Sequence, residues 1–281
     1  MTAMRIDTHQ HFWNLAKVEY TWLVPAYGPI YANFAPQDLE PQLKAAGIDR
    51  TVLVQSANNN EDTVSMLTQA ECYEWIGAVV GWVPLYDHHE AAKLLDRYGK
   101  HPKWRGVRHL NHEEPDPDWL VRPDVLQGLK LLEERDMTFD VVAIFPKHIG
   151  HVPTLAEHAP KLKIIIDHLA KPPIKEKKID EWRAAMARCA QYPNVYAKIS
   201  GLNTAADWQN WSAADLKPYI DAAIELFGVD RCMFGSDWPV AILAGDYAKV
   251  WRETNEALKG RSQAEIDAVL GGTAQKVYRV E

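Results

Sequence analysis

The sequence predicts an α/β protein folded as a (β/α)8 TIM barrel, and three observations support this. Eight short apolar runs rich in valine and isoleucine alternate with stretches whose apolar residues recur at helical spacing. The runs are continuously apolar, as expected of parallel strands that are buried on both faces. A length of 281 residues also suits one barrel. We therefore expect a single domain over residues 1–281, with a helical C-terminal tail from Asp246 onward.

The strand-and-helix unit recurs along the whole chain. The first strand, within residues 5–13, leads through a long loop over residues 14–35 into a helix over 36–46, which Gly47 ends. Later strands are predicted at residues 51–55, 76–83, 106–110, 138–144, 163–167, 194–199 and 231–234. The helices between them are predicted at residues 61–72, 89–98, 125–135, 152–158, 179–191 and 213–227. An open doubly wound sheet is the alternative, but the first strand lacks the glycine-rich phosphate-binding turn typical of that fold.

Composition restricts the class of partner. The formal net charge of −7 gives no electrostatic reason to expect nucleic acid or an anionic membrane, so a small molecule is the expected ligand. No window of the sequence approaches the roughly 20 apolar residues that span a bilayer. Cys72, Cys189 and Cys232 lack the spacing of a disulfide framework or zinc site, which predicts a reducing compartment and a cytoplasmic protein. Assembly into a homo-oligomer stays open.

Reactive residues fall at the carboxyl ends of predicted strands, where barrel enzymes place their active sites. His9 and His11 end the first strand, and their spacing of two directs both rings to one side of an extended chain. His168 ends the sixth strand, and Asp237 follows the eighth. Because the first and eighth strands are neighbours in a closed barrel, we expect these four side chains to converge.

Other polar and aromatic residues have weaker assignments. Substrate contacts are predicted for three strand-end residues, Gln55, Arg108 and Lys198. The loop tryptophans Trp13, Trp22, Trp208, Trp211 and Trp238 are candidates to line a pocket. The remaining loop and helix histidines His88, His101, His112, His151 and His158 are interpreted as solvated, and His148 is left unassigned.

Several motifs together resemble one protein family. They are Ile6-Asp7-Thr8-His9-Gln10-His11, Gly106-Val107-Arg108-His109, Asp167-His168-Leu169-Ala170-Lys171-Pro172 and Phe234-Gly235-Ser236-Asp237-Trp238-Pro239. The combination resembles the amidohydrolase superfamily (amidohydrolase 2 family), specifically the branch of sugar lactonases and 2-pyrone-4,6-dicarboxylate hydrolases. The resemblance implies a lactonase that opens the ring ester of a sugar-derived lactone similar to L-fuconolactone or L-rhamnonolactone. Hydrolysis of a pyrone dicarboxylate, metal-dependent decarboxylation and a non-catalytic sugar-acid sensor are the alternatives.

The resemblance also bears on the mechanism and on the metal. We expect Asp237 to take a proton from the attacking water, while His9, His11 and His168 stabilise the oxyanion. A two-metal site is not expected, because the fifth strand has no lysine that could be carbamylated to bridge two ions. One divalent ion, zinc or manganese, held by His9, His11 and Asp237, is compatible with these residue types, and so is a site without metal.

Overall fold

The computed structural model describes residues 3–281, and within them eight parallel strands form one sheet in chain order, β1 to β8. The strands are β1 Ile6–Gln10, β2 Arg50–Val54, β3 Ile76–Gly81, β4 Trp104–His109, β5 Thr138–Val141, β6 Lys163–Ile166, β7 Val195–Ile199 and β8 Cys232–Phe234. The predicted barrel strands are therefore confirmed, although β3 and β5 end two and three residues earlier than expected. At both places the chain has already turned into a loop at the rim of the barrel.

Helices follow the strands as the sequence predicts. They are α1 Pro36–Ala46, α2 Asn60–Cys72, α3 His88–Tyr98, α4 Pro123–Glu134, α5 Val152–His158, α6 Asp180–Ala190, α7 Leu202–Ala205, α8 Ala213–Phe227, α9 Tyr247–Ala257, α10 Gln263–Asp267 and α11 Thr273–Tyr278. A π-helical turn, Ala268–Gly272, joins α10 to α11. The sequence missed the short helix α7 and the 3-10 turn Pro25–Ile30, which lies inside the long loop after β1.

The barrel closes between β1 and the segment that follows β8. The backbone N–H of His11 donates to the carbonyl of Trp238 at 2.8 Å, and the N–H of Asp237 donates to the carbonyl of His9 at 2.7 Å. Lower down, the Thr8 hydroxyl donates to the carbonyl of Phe234 at 2.6 Å. These bonds place the two chain segments with the reactive residues side by side.

The barrel interior is apolar at its lower end, where the C-terminal tail packs. Ile6, Val52 and Ile165 from the strands form one buried cluster with Val277 and Tyr278 of α11. The tail lies close to the start of β1, because a Cβ added at Gly271 would be 1.8 Å from the carbonyl oxygen of Met4. Burial of this helix covers the bottom of the barrel and leaves the carboxyl ends of the strands for the site.

None of the helices within residues 3–281 combines the length and the apolar character needed to cross a membrane. The assignment of residues 1–281 to one domain stays a prediction.

Candidate active site

A cavity of about 230 Å³ opens at the carboxyl ends of the strands. His11, Arg108, His168 and Asp237 all line it, although they come from four different strands or the loops beyond them. A groove of about 700 Å³ lies elsewhere, between the loop after β1 and helices α2 and α3. We place the site in the smaller cavity, because it contains the convergent reactive side chains.

Three imidazole rings surround one carboxylate oxygen. Nε2 of His11 lies 3.4 Å from Oδ1 of Asp237, and the corresponding distances are 3.8 Å for His9 and 3.9 Å for His168. All four side chains are at least nine-tenths buried. The convergence that the sequence predicts for these four residues is therefore present in the structure.

Each ring is oriented through its other nitrogen. Nδ1 of His11 lies 2.7 Å from the carbonyl oxygen of Val54, so it carries the proton and donates. Nδ1 of His168 lies 2.9 Å from the hydroxyl of Ser200. Partners of this kind fix the direction of Nε2, as the outer hydrogen bonds of metal-binding and catalytic histidines commonly do.

The backbone adopts unusual conformations where it carries the site. His168 and Asp237 both have positive φ angles, 54° and 59°, which non-glycine residues rarely adopt. Gly201 packs against both of them, and a Cβ there would lie 2.7 Å from Oδ2 of Asp237 and 2.8 Å from Nδ1 of His168. Strained backbone of this kind clusters at functional sites, because the surrounding structure holds side chains at a required angle.

A buried aspartate braces the closure of the barrel behind the site. Asp7 accepts hydrogen bonds from the backbone N–H of Ser236 at 2.8 Å, the N–H of His9 at 3.1 Å and the hydroxyl of Tyr247 at 3.0 Å. Burial raises the pKa of Asp7 to about 6, although these donors act in the opposite direction. Asp7 thereby links β1 to the loop that carries Asp237.

Burial determines the protonation of the site. It lowers the pKa of His9 and His11, and lowers that of His168 to about 4, so all three rings are neutral at pH 7. Burial acts to raise the pKa of Asp237, but attraction to the protonated form of His168 and the contact with His11 outweigh it. The pKa of Asp237 therefore lies below its ordinary value, and the carboxylate is ionised at neutral pH.

Arg108 is held rigidly between the cavity and the buried layer below it. Its Nε donates to Oε1 of Gln55 at 3.1 Å, and Nη2 donates to the carbonyl of Gln55. Its Nη1 lies 3.1 Å from Oδ2 of Asp167 and 3.2 Å from Nε2 of His9. The predicted substrate contact thus has a guanidinium at the cavity wall, whereas Gln55 is fully buried and orients that guanidinium.

Lys198 lies beneath the cavity, not in its wall. The side chain is fully buried, and its ammonium contacts Asp140 and also Oδ1 of Asp167 at 3.3 Å. Its Nζ also lies 3.2 Å from Nδ1 of His9. The hydroxyl of Tyr278 donates to Asp140 at 2.7 Å, so this ion-pair network reaches the C-terminal helix. With this placement, Lys198 supports His9 and does not face a substrate.

Comparison with known proteins places the chain in a family. A sequence model described as amidohydrolase matches residues 6–280. The chain belongs to the amidohydrolase family. An L-fucono-1,5-lactonase of Burkholderia ambifaria is 37% identical over 99% of this chain and 97% of its own length. A second L-fucono-1,5-lactonase, from Burkholderia multivorans, is 34% identical with the same coverage.

A solved structure also supports membership of this chain in the amidohydrolase family. An amidohydrolase of Burkholderia multivorans with bound zinc superposes with a TM-score of 0.91 at 32% identity, covering 99% of this chain and all of that one. The family membership confirms the resemblance that the sequence motifs indicated.

The amidohydrolase has residues that fit a metal ion. Ligand atoms of His9, His168 and Asp237 lie within 4.8 Å of one another. The sequence-based set of His9, His11 and Asp237 stays a prediction. When His11 is neutral, its Nε2 lone pair faces Oδ1 of Asp237 at 3.4 Å, a contact between two acceptors that a shared cation or proton would stabilise. Imidazole nitrogen with one carboxylate is a common donor set for zinc.

Several residues that line the cavity were not predicted from the sequence. Lys171 and His112 line the cavity, although His112 was interpreted as an ordinary surface histidine. Of the five tryptophans proposed for the pocket, Trp22 and Trp208 line this cavity, Trp13 lines the larger groove, and Trp211 and Trp238 are buried elsewhere. Asp167, directly before His168, is the sequence feature that could have indicated the buried ion pairs around the site. An acidic residue at the end of an apolar strand needs a buried partner.

Proposed function

We propose that this amidohydrolase hydrolyses a sugar-derived lactone of the L-fuconolactone type, with Asp237 activating the water. The observation that carries the proposal is the ionised, buried Asp237 among three neutral imidazoles on the wall of a small cavity. Full-length similarity to two L-fucono-1,5-lactonases supports the expected sugar lactone over a pyrone dicarboxylate or a decarboxylation substrate.

Ring opening begins with the attack of water on the lactone carbonyl. Asp237 is the general base, since its lowered pKa keeps it unprotonated and it lines the cavity together with His11 and His168. The oxygen of the water forms a bond to the carbonyl carbon, and the proton moves to Asp237. As the ester C–O bond breaks, the same carboxyl returns that proton to the departing ring oxygen.

The developing charge on the carbonyl oxygen needs a fixed donor. Arg108 and His168 line the cavity with Asp237 and are the best placed for this role, whereas Nε2 of neutral His11 is an acceptor. Because Gln55 and Asp167 already hold the guanidinium, it needs little reorganisation during the reaction. His9 is fully buried, so we assign it to support of this group and not to direct contact with substrate.

The cavity has one aromatic part and one polar part. Trp22 is fixed by an indole N–H donated to the carbonyl of Ser56 at 2.7 Å, and Trp208 is half-exposed at the rim. Lys171 and His112 provide polar contacts on the lining. An aromatic face with a few polar groups suits a small ring with hydroxyl substituents.

A metal ion would be held by His9, His168 and Asp237, with His11 adjacent. Bound there, a divalent ion would lower the pKa of water and polarise the carbonyl. The proposed ion is zinc or manganese, and hydrolysis without metal remains the alternative. A cytoplasmic location also stays a prediction, as does the oligomeric state.

The test is a hydrolysis assay with a panel of lactones, run with and without a chelator. The panel contains L-fuconolactone, L-rhamnonolactone, their 6-hydroxy analogues and 2-pyrone-4,6-dicarboxylate. We expect the sugar lactones to be opened with the largest kcat/KM. Each turnover produces a carboxylic acid that releases one proton, which a pH indicator detects. Turnover of the pyrone alone would overturn the proposal. A hydroxybenzoic acid is assayed in parallel, and release of carbon dioxide from it without opening of any lactone would also overturn the proposal.

A further inference from the structure

The proton positions around His9 follow from its neighbours. A guanidinium only donates, so Arg108 Nη1, at 3.2 Å, requires a lone pair on Nε2 of His9. The proton of the neutral ring then lies on Nδ1, which is 3.3 Å from Oδ1 of Asp167. The opposite tautomer would turn an N–H toward Arg108 and leave two donors facing each other. Lys198 Nζ lies 3.2 Å from Nδ1, but an ammonium can rotate its protons toward the carboxylates of Asp140 and Asp167, with which it is paired, whereas the planar guanidinium is fixed by Gln55 and Asp167.

This tautomer has a consequence for cations. Three Nε2 atoms face Asp237, and the one on His9 already accepts from the guanidinium of Arg108. A metal ion held by His9, His168 and Asp237 needs that same lone pair. Binding of the ion therefore requires Arg108 to leave His9 and brings a double positive charge next to a buried guanidinium.

We propose that Arg108 competes with a divalent cation for Nε2 of His9 and so sets the metal affinity of the site. The guanidinium is a resident positive charge that occupies the Nε2 lone pair of His9. Its four contacts, to Gln55, Asp167 and His9, hold it there. The site thus keeps a positive charge against Nε2 of His9 without a metal.

The test measures zinc binding, and it does not depend on catalytic activity. Chelator-treated protein is titrated with zinc by calorimetry, and the bound zinc is counted by elemental analysis after dialysis. We expect Arg108→Gln to bind zinc about tenfold or more tightly than the parent, a change of the size that residues around metal ligands produce. Affinity that is unchanged or weaker in Arg108→Gln would overturn the proposal, provided that circular dichroism shows the variant folded.

Two further variants separate competition from simple charge removal. Lys171→Gln removes a positive charge from the same cavity, but Lys171 has no contact with His9 among the bonds within residues 3–281. Competition predicts a much smaller gain in Lys171→Gln than in Arg108→Gln, and equal gains would refute it. Arg108→Lys keeps the charge on a shorter side chain, so it should also bind zinc more tightly; parental affinity in this variant would refute the competition.

The tautomer can be read directly. In the metal-free parent, nitrogen chemical shifts of His9, assigned by comparison with His9→Gln, should report a proton on Nδ1 and a lone pair on Nε2. A proton on Nε2 of the parent would contradict the inference, whatever the zinc affinities are. Because this measurement uses the parent protein, it tests the inference even if Arg108→Gln fails to fold.

Discussion

The charged residues of the barrel form two layers that differ in what they can do. In the upper layer, Arg108, His168 and Asp237 line the cavity and can reach a small molecule. In the lower layer, Lys198 and Asp140 have no exposed surface, and every charge is neutralised by a neighbour. In the proposed mechanism, similar side chains serve catalysis above and support below, and access to the cavity separates the two roles.

His9 belongs to both layers. Its Nε2 faces Asp237 in the upper layer, while Nδ1 faces Asp167 and Lys198 in the lower one. The ring transmits the position of the buried charges to the site. If the two layers have separate roles, variants of the upper layer should lose activity and keep stability, while variants of the lower layer should lose stability first.

The largest effect is expected for Asp237→Asn. The amide cannot take a proton from water, so kcat should fall roughly 10²–10⁴-fold while the unfolding transition stays close to that of the parent. The measurement is lactone turnover beside a urea unfolding curve. Asp230→Asn, which changes an exposed carboxylate, is the control and should leave kcat unaffected. Parental turnover by Asp237→Asn would remove this residue from the role of base.

Lys198→Met should act mainly on stability. It leaves the buried carboxylates of Asp140 and Asp167 without their ammonium partner, and breaking a buried ion pair in this way costs about 3–5 kcal/mol. The control is Lys163→Met, which removes a partly exposed pair with Asp136 and should cost roughly 0–1 kcal/mol. Equal destabilisation of the two variants in urea would show that the lower layer is not a special source of stability.

Tyr278→Phe tests the link to the C-terminal helix. The tyrosine hydroxyl donates to Asp140 at 2.7 Å, and burial raises the pKa of Tyr278 well above its ordinary value, so it stays a donor. Losing this bond to a charged group should cost about 1.5–3 kcal/mol, with kcat nearly unchanged. Tyr86→Phe, at an exposed position, serves as the comparison. A large fall in kcat without loss of stability would show that the lower layer also takes part in catalysis, which contradicts the separation of roles.

The smallest effect concerns pH. Burial lowers the pKa of His168 to about 4, so the neutral ring persists as the pH falls past the ordinary histidine value of 6.5. We expect kcat/KM to show no inflection from His168 near pH 6.5, and to decline only as the pH falls through about 4. Proton resonances of His168 followed over the same range should titrate at the lower value. Titration of His168 near 6.5 would show that the upper layer is more hydrated than the structure indicates.

The sequence predicted which residues of the upper layer converge, but not which charged residues belong to the lower layer. Spacing and strand counting were enough to bring His9, His11, His168 and Asp237 together, because position within each strand-and-helix unit determines the end of the barrel that a residue occupies. They could not distinguish Arg108 from Lys198, which are both cations near strand ends. One of them reaches the cavity and the other lies below it.

The sequence by itself determined the fold, the family and the four reactive residues, since these depend on periodicity and on motifs local to each strand. Only the tertiary structure decided the depth of each charge and the placement of Arg108 against Nε2 of His9. Those properties depend on distances of a few ångström between residues that are far apart in the sequence, such as His9 and Lys198. In a buried site such distances control both protonation and the availability of lone pairs, and no pattern along a single chain encodes them.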